Sequence, residues 1–165
     1  MNHIRILGID PGFDRTGFGV VDQTGSTPSW IAHGCLQTLK TDDFSHRLQA
    51  VRDKVQELIV QHRPDCVAVE QLFFQTNAKT AIKVGMARGV VLLAIADAGI
   101  PLVELTPNQV KQGVAGWGAA DKKQVAEMVQ RFLKLPEIPT PDDAADALAI
   151  AIVGGMLFKH PSRPT

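Results

Sequence analysis

The stretch HIRILGID at His3–Asp10, followed by Pro11 and Gly12, sets the interpretation of the whole chain. It is rich in β-branched residues and Leu and ends at a Pro-Gly turn signal, a combination typical of a strand. Two further runs of strand composition follow at residues 16–22 and 29–39, with a turn-rich segment at 23–28 between them. Neighbouring strands joined by short turns predict an antiparallel meander.

The rest of the chain alternates between helix and strand patterns. Apolar residues recur at three- and four-residue steps over residues 44–62, which predicts an amphipathic helix. The runs CVAVE at 66–70 and PLVEL at 101–105 read as buried strands, and a largely apolar helix at about 78–98 separates them. Further helices are predicted at 107–115, 121–133 and 141–156. This order predicts an α/β fold with a mixed five-stranded sheet, its first three strands antiparallel, and helices on both faces.

Length, composition and cysteine spacing limit the number of domains, the charge and the kinds of site that this chain fits. The 165 residues fit one domain, which we place at residues 1–158, with a short flexible tail at 159–165. Basic and acidic residues number 17 each, so the strongly basic charge typical of nucleic-acid-binding domains is missing. Cys35 and Cys66 lack the spacing of a zinc site. The first ten residues lack the pattern of a secretory leader, which predicts a cytoplasmic protein without a membrane span.

Two carboxylates lie where predicted strands end. Asp10 closes the first strand, and Glu70 follows four residues that we expect to be buried. Open α/β sheets bind ligands at the carboxyl ends of their strands, and a carboxylate in such a place is costly unless it is paired. The alternatives are structural: Asp10 accepts hydrogen bonds within its own turn, and Glu70 is an exposed strand end.

A third acidic cluster starts the last predicted helix. Asp143 and Asp146 are three residues apart and share a helix face, and Asp142 precedes them. Helix capping competes as an explanation, with Thr140 as N-cap, Pro141 at the first helical position and acids in the first turn. Capping accounts for Asp142 and Asp143 better than for Asp146, which lies a turn further along among alanines.

Together these acids form an all-oxygen set without His or Cys, which suits Mg²⁺ or Mn²⁺. Sets of this kind commonly hold two metal ions that activate a water and stabilise the leaving oxygen of a phosphodiester. The five histidines are scattered and form no nucleophile–base pair with a Ser or Cys. Metal-dependent phosphodiester hydrolysis is therefore the predicted chemistry.

Five motifs, in this order and at this spacing, resemble the bacterial Holliday junction resolvases of the RuvC family. The motifs are ILGIDPG (6–12), VEQLFF (69–74), KVGMARG (83–89), QVKQ (109–112) and DDAADALAIA (142–151). The resemblance spans nearly the whole chain. It implies an RNase H-like fold, a Mg²⁺-dependent crossover junction endodeoxyribonuclease acting in recombination and repair, and paired symmetric nicks in a four-way DNA junction.

The resemblance also implies particular residues and partners. By position, the catalytic and metal-binding acids are Asp10, Glu70, Asp143 and Asp146, with two Mg²⁺ per site and Mn²⁺ as an alternative. Asp142 is then a capping residue, although adjacent aspartates in one turn can both reach a cation. The implied DNA contacts are Phe73, Phe74, Lys83, Arg88, Lys111 and Lys122.

The implied assembly is a homodimer that cooperates with a branch-migration complex. Gly85 and Gly89 permit close backbone approach in an apolar helix, which places the dimer seam there; packing within one subunit is the alternative.

Three other functions share parts of this pattern. Another RNase H-like nuclease would use the same acids on an RNA strand, but the order of motifs disfavours it. A sugar-kinase-like or actin-like ATPase would need a second, duplicated domain. A junction-binding module without activity would lack part of the acidic set, and all four acids are present.

Overall fold

Three antiparallel strands open the chain, as the sequence predicts. The computed structural model describes residues 3–72 and 78–158. The elements follow in the order β1 (His3–Asp10), β2 (Arg15–Thr24), β3 (Thr27–Gln37), α1 (Phe44–His62), β4 (Cys66–Glu70), α2 (Ala78–Asp97), β5 (Leu102–Leu105), α3 (Pro107–Ala115), α4 (Lys122–Leu133) and α5 (Asp142–Leu157). The predicted tail at 159–165 lies outside the described residues.

The strands form one mixed sheet in the order β3-β2-β1-β4-β5. β1 pairs antiparallel with β2 and parallel with β4, and β4 pairs parallel with β5. The predicted mixed five-stranded sheet is therefore confirmed. Its parallel half brings the carboxyl ends of β1, β4 and β5 to one edge.

Helices cover both faces of the sheet, and strand alternation decides which side chains meet which helices. On β4, Cys66 and Ala68 pack in the cluster that includes residues of α3, α4 and α5. Val67 and Val69 point the other way, into the cluster with α1 and α2. Because successive side chains on a strand alternate between faces, the next residue, Glu70, points toward α5.

Helix α5 is the central helix, and every residue from Ala147 to Val153 on it is buried. It approaches the sheet closely because small residues line both the helix and the strands against which it packs. A Cβ added to Gly8 on β1 would overlap the carbonyl oxygen of Ala147, and one added to Gly17 on β2 would overlap that of Asp143. These glycines bring the first turn of α5 directly over the end of β1.

The helix termini partly differ from expectation. Thr106 and Asp121 form capping boxes with Gln109 and Gln124 at the starts of α3 and α4. The expectation that Thr140 caps α5 is wrong, because Pro141 is the N-cap residue and makes no side-chain cap hydrogen bond. Asp142 and Asp143 lie in the first turn of α5, where carboxylates interact favourably with the helix dipole.

Helix α2 buries one face against the core and exposes another. Its residues Ala87, Val91, Ala94 and Ile95 are buried, whereas Ile82, Met86 and Leu93 are each more than half exposed. None of the helices in the described part of the chain combines the length and hydropathy that a bilayer-spanning helix needs.

Candidate active site

Asp10 and Glu70 lie side by side at the ends of two parallel strands. The pairing of β1 with β4 runs up to Ile9 and Val69, so the two acids follow the last pair. Asp10 has the same parity along β1 as Ile6, which packs with α5, and Gly8, which contacts it. Both carboxylates therefore face α5.

Asp146 completes a cleft with these two acids. The cleft has a volume of about 280 Å³ and is lined by Asp10, Glu70, Pro107, Val110, Lys111, Lys122, Val125 and Asp146. Its acids come from β1, β4 and α5, and its lysines come from α3 and α4. Elements far apart in the sequence thus bring three carboxylates and two ammonium groups together.

Asp143 lies beside this cleft and pairs with a residue that the sequence did not single out. Its Oδ2 atom is 2.7 Å from Nε of Arg15, the first residue of β2. The Sγ atom of Cys35 lies 3.9 Å from the same oxygen. Proximity to Asp143 also contributes to raising the pKa of Asp10, so the two carboxylates share one electrostatic environment. A lone Arg at a strand start carries no sequence signal, and only the fold brings it to Asp143.

The carboxylates at the cleft resist ionisation. Burial, with the negative charges of Asp146, Glu70 and Asp143, raises the pKa of Asp10 to about 8. Burial, followed by Asp146, raises the pKa of Glu70. Burial also raises the pKa of Asp146, although Lys122 opposes the shift. Crowded acids of this kind favour a bound cation, because positive charge stabilises their ionised forms.

The donor chemistry fits a hard divalent metal ion. Carboxylate oxygens converge on an open cleft without His or Cys, which suits Mg²⁺ or Mn²⁺. Within residues 3–72 and 78–158, no three acidic, His or Cys side chains are arranged so that they could hold a metal ion among them. A catalytic Mg²⁺ ion needs fewer protein ligands than that, because it keeps several waters and takes one or two carboxylates plus substrate phosphate.

The two lysines predicted from QVKQ and the start of α4 both reach the cleft. Lys111 lines it beside Glu70. The Nζ atom of Lys122 lies 3.2 Å from Oδ2 of Asp146, and this carboxylate raises the pKa of Lys122. The ammonium groups of Lys111 and Lys122 therefore lie where they would face the negative charge of a phosphate bound in the cleft.

The other predicted site residues lie elsewhere. Lys83 is exposed, and its Nζ atom lies 5.6 Å and 5.4 Å from the ring centroids of Phe13 and Phe44. Arg88 donates from Nε to the carbonyl oxygen of Glu70 at 3.2 Å and forms an ion pair with Glu104. Phe73 and Phe74 lie outside the described residues.

Neither Asp142 nor the glycines of α2 line the cleft. Asp142 is exposed and lines a neighbouring cavity of about 300 Å³ between α4 and α5, which shares Lys122 and Asp146 with the cleft. A Cβ at Gly89 would have no atom within 4 Å, whereas one at Gly85 would lie 3.8 Å from Leu72. Gly89 thus belongs to the open face of α2.

Comparison with known proteins gives one consistent family. The family model described as Crossover junction endodeoxyribonuclease RuvC matches residues 6–154. The curated protein of that name from Pelotomaculum thermopropionicum is 50% identical over 147 residues, covering 89% of this chain and 90% of the relative. Its counterpart from Thermotoga maritima is 47% identical over 151 residues, covering 92% and 90%.

Solved structures agree with this match. Thermus thermophilus RuvC in complex with a Holliday junction substrate is 39% identical and superimposes with a TM-score of 0.85, covering 91% of this chain and 92% of that one. The yeast mitochondrial Holliday junction resolvase Ydc2 is 17% identical with a TM-score of 0.64, covering 90% and 78%, and shows the shared fold. The expected RNase H-like fold is therefore confirmed.

Proposed function

The chain belongs to the RuvC family of crossover junction endodeoxyribonucleases, and we propose that it resolves four-way DNA junctions at the cleft between Asp10, Glu70 and Asp146. One observation supports placing the nuclease activity at this cleft. Carboxylates from β1, β4 and α5 line it together with Lys111 and Lys122. The arrangement fits hydrolysis of a phosphodiester by a metal-dependent nuclease.

Four acids hold the metals in this proposal. Asp10, Glu70 and Asp146 line the cleft and would hold the metals there, and Asp143, which now pairs with Arg15, would join them from the rim. Two Mg²⁺ per site fit the family mechanism, and Mn²⁺ has the same ligand preference. When bound, the metals activate a water and stabilise the leaving oxygen.

Lys122 and Lys111 stabilise the charge of the phosphate in the cleft. An ammonium group aimed at developing negative charge stabilises the transition state of phosphoryl transfer. Lys122 is 76% exposed at its side chain while it pairs with Asp146. It can therefore turn from the carboxylate toward an incoming phosphate without disturbing the core.

Junction recognition uses aromatic and basic residues around the cleft. Phe73 and Phe74 follow Glu70 closely in sequence, and one of them stacks on a base at the opened crossover. Such stacking contributes about 1 to 3 kcal/mol. Lys83 remains a predicted DNA contact. Arg88 is poorly placed for that role, because its side chain is 17% exposed and already pairs with Glu104.

A homodimer through the open face of α2 accounts for paired nicks. Ile82, Met86 and Leu93 expose apolar surface along this face, and Gly89 lets a second helix approach closely. A two-fold dimer places two identical clefts at a fixed separation, which matches the symmetry of a four-way junction. Cooperation with a branch-migration complex follows from the family resemblance.

The direct test compares DNA substrates and metals. A four-way junction, a linear duplex and an RNA–DNA hybrid are each incubated with Mg²⁺, Mn²⁺ or a chelator, with every strand labelled in turn. We expect metal-dependent nicks at symmetric positions in two opposing strands of the junction. Cleavage confined to the hybrid, or junction binding without cleavage under any metal, would refute the proposal. Calorimetric titration of the protein with Mn²⁺ counts the metals per cleft.

A further inference from the structure

At Glu70, the main chain of β4 pairs with a neighbouring strand on one side only. The pairing of β4 with β1 ends at Val69, one residue earlier, so only the edge strand β5 still pairs with β4 at Glu70. The N–H of Gln71 donates to the carbonyl oxygen of Leu105 at 2.7 Å. Because N–H and C=O point in opposite directions across a trans peptide, the Glu70 carbonyl points away from β5.

Arg88 supplies the hydrogen bond at this carbonyl. Its Nε atom donates to the Glu70 oxygen at 3.2 Å, and its terminal nitrogen pairs with the carboxylate of Glu104 on β5. The Arg88 side chain is 17% exposed, so the contact is partly buried. One guanidinium thus joins α2, the end of β4 and β5.

Arg88 reaches Glu70 from behind the sheet. Val103 and Leu105 pack against the cluster around α5, so Glu104 between them faces α2. The Glu70 carboxylate points to the opposite face, into the cleft with Asp10 and Asp146. Arg88 therefore holds the backbone of Glu70 and leaves its carboxylate free.

We propose that Arg88 is a positioning residue that fixes the main chain of Glu70 so that its carboxylate keeps the place a catalytic metal requires. The inference rests on the proposed function, because it takes Glu70 as a metal ligand. It gives Arg88 a role other than the DNA contact implied by the sequence. Partners that orient a metal ligand typically contribute 10- to 100-fold in metal affinity or activity.

Substitution of Arg88 by Ala separates the two roles. We expect the maximal nicking rate and the affinity for Mn²⁺, measured by calorimetry on the protein without DNA, to fall about 10- to 100-fold. Junction affinity in chelator, and its dependence on salt, should stay within about threefold, because the lost group lies behind the sheet. Arg88→Lys, which keeps a cation near Glu104, should recover part of the loss.

Two variants serve as controls. Asp22→Ala breaks the ion pair with Arg5 far from the cleft, so it should lower the melting temperature while Mn²⁺ affinity and nicking rate stay near wild type. Glu104→Gln keeps Arg88 and removes only its charged partner, so it should give a smaller loss than Arg88→Ala. It also carries the test if Arg88→Ala fails to fold, and wild-type Mn²⁺ affinity in Glu104→Gln would then overturn the proposal.

Three results would overturn the role of Arg88. The first is lower junction affinity with unchanged Mn²⁺ affinity in Arg88→Ala, which would make it a DNA contact. The second is an equal loss of Mn²⁺ affinity in Asp22→Ala, which would make the effect general destabilisation. The third is an inactive Glu70→Gln beside a fully active Arg88→Ala. An active Glu70→Gln would instead refute the proposed function itself.

Discussion

Gly17 on β2 and Asp143 on α5 touch through their main chains, and this contact sets where the acidic end of α5 meets the sheet. A Cβ on Gly17 would overlap the carbonyl oxygen and carbon of Asp143. Gly17 is also the strand partner of Asp10 on β1. The residue that allows the close approach is therefore a neighbour of both Asp10 and Asp143.

Replacing Gly17 by Ala should push α5 away from the sheet. We expect a loss of about 1 to 3 kcal/mol in the free energy of unfolding, because the new methyl group meets rigid backbone. Nicking should also slow, since Asp143 and Asp146 move with the helix. Urea unfolding and junction cleavage measure the two effects.

Gly118→Ala is the matched control. A Cβ there would lie 3.6 Å from the nearest side-chain atom of Asn108, which is an ordinary contact. Stability and cleavage should stay close to wild type in this variant. Equal effects of the two substitutions would refute the role of the Gly17 contact.

Much of the fold follows from local patterns. The bounds of β1, α1, β4 and α3 are those predicted, because periodicity and turn residues mark them clearly. The placement of Asp10 and Glu70 at one sheet edge follows from strand ends and parallel pairing.

The rest depends on contacts between segments distant in sequence. The pairs Arg15–Asp143 and Arg88–Glu104 form only once the sheet brings these segments together, and no spacing in the sequence signals them. The prediction of an N-cap at Thr140 is wrong, because α5 starts one residue later, with Pro141 as the N-cap residue and no side-chain cap hydrogen bond.

Lys122 should matter for the chemical step more than for binding. Asp146 holds it at the cleft and raises its pKa, so it stays protonated. We expect Lys122→Ala to lower the single-turnover nicking rate about 100-fold, since one positioned donor typically contributes that much. Junction affinity should change by less than about threefold, because many contacts to DNA phosphates together determine it.

Lys123→Ala provides the comparison for Lys122. This neighbour is 82% exposed at its side chain and lies 4.0 Å from Glu127 on its own helix. Its loss should leave the nicking rate unchanged. A rate loss of similar size in both variants would show that general positive charge, and not the position of Lys122, is what matters.

The open face of α2 should be the dimer interface. Leu93 is 59% exposed on this face, and burying a new Glu there is costly. We expect Leu93→Glu to raise the dimer dissociation constant at least tenfold, about 1.4 kcal/mol. Sedimentation velocity across a concentration series measures it. The control, Val60→Glu, changes an apolar residue on α1 that is 74% exposed, and it should leave the dimer intact. Dissociation in Val60→Glu alone would place the dimer interface elsewhere.

The ion pair between Arg5 and Asp22 should give stability that depends on pH. Arg5 donates from Nε and a terminal nitrogen to the two oxygens of Asp22 at 2.7 Å and 2.8 Å. These bonds lower the pKa of Asp22 below its ordinary value. A lowered pKa in the folded state stabilises the protein above the unfolded pKa, near 4, and this stabilisation is lost as the pH falls through the folded value.

Asp22→Asn tests whether the charge of this carboxylate stabilises the protein at neutral pH and stops doing so at low pH. We expect a loss of about 1 to 3 kcal/mol in the free energy of unfolding at pH 7. The difference from wild type should shrink below about pH 4, because the wild-type carboxylate is then protonated as well. Urea unfolding at several pH values between 3 and 7 measures it. A difference that stays constant over this range would mean that the stabilisation does not come from the carboxylate charge.

The most direct test of the proposed active site replaces each acid by its amide and measures the initial rate of junction nicking together with junction affinity. Asp10→Asn, Glu70→Gln, Asp143→Asn and Asp146→Asn should each nick at least about 1,000-fold more slowly while still binding the junction, because each removes a metal ligand. Asp142→Asn should stay within about threefold of wild type, because Asp142 does not line the cleft that Asp10, Glu70 and Asp146 share. Full activity in any of the first four variants, or an equal loss in Asp142→Asn, would contradict this assignment of the active site.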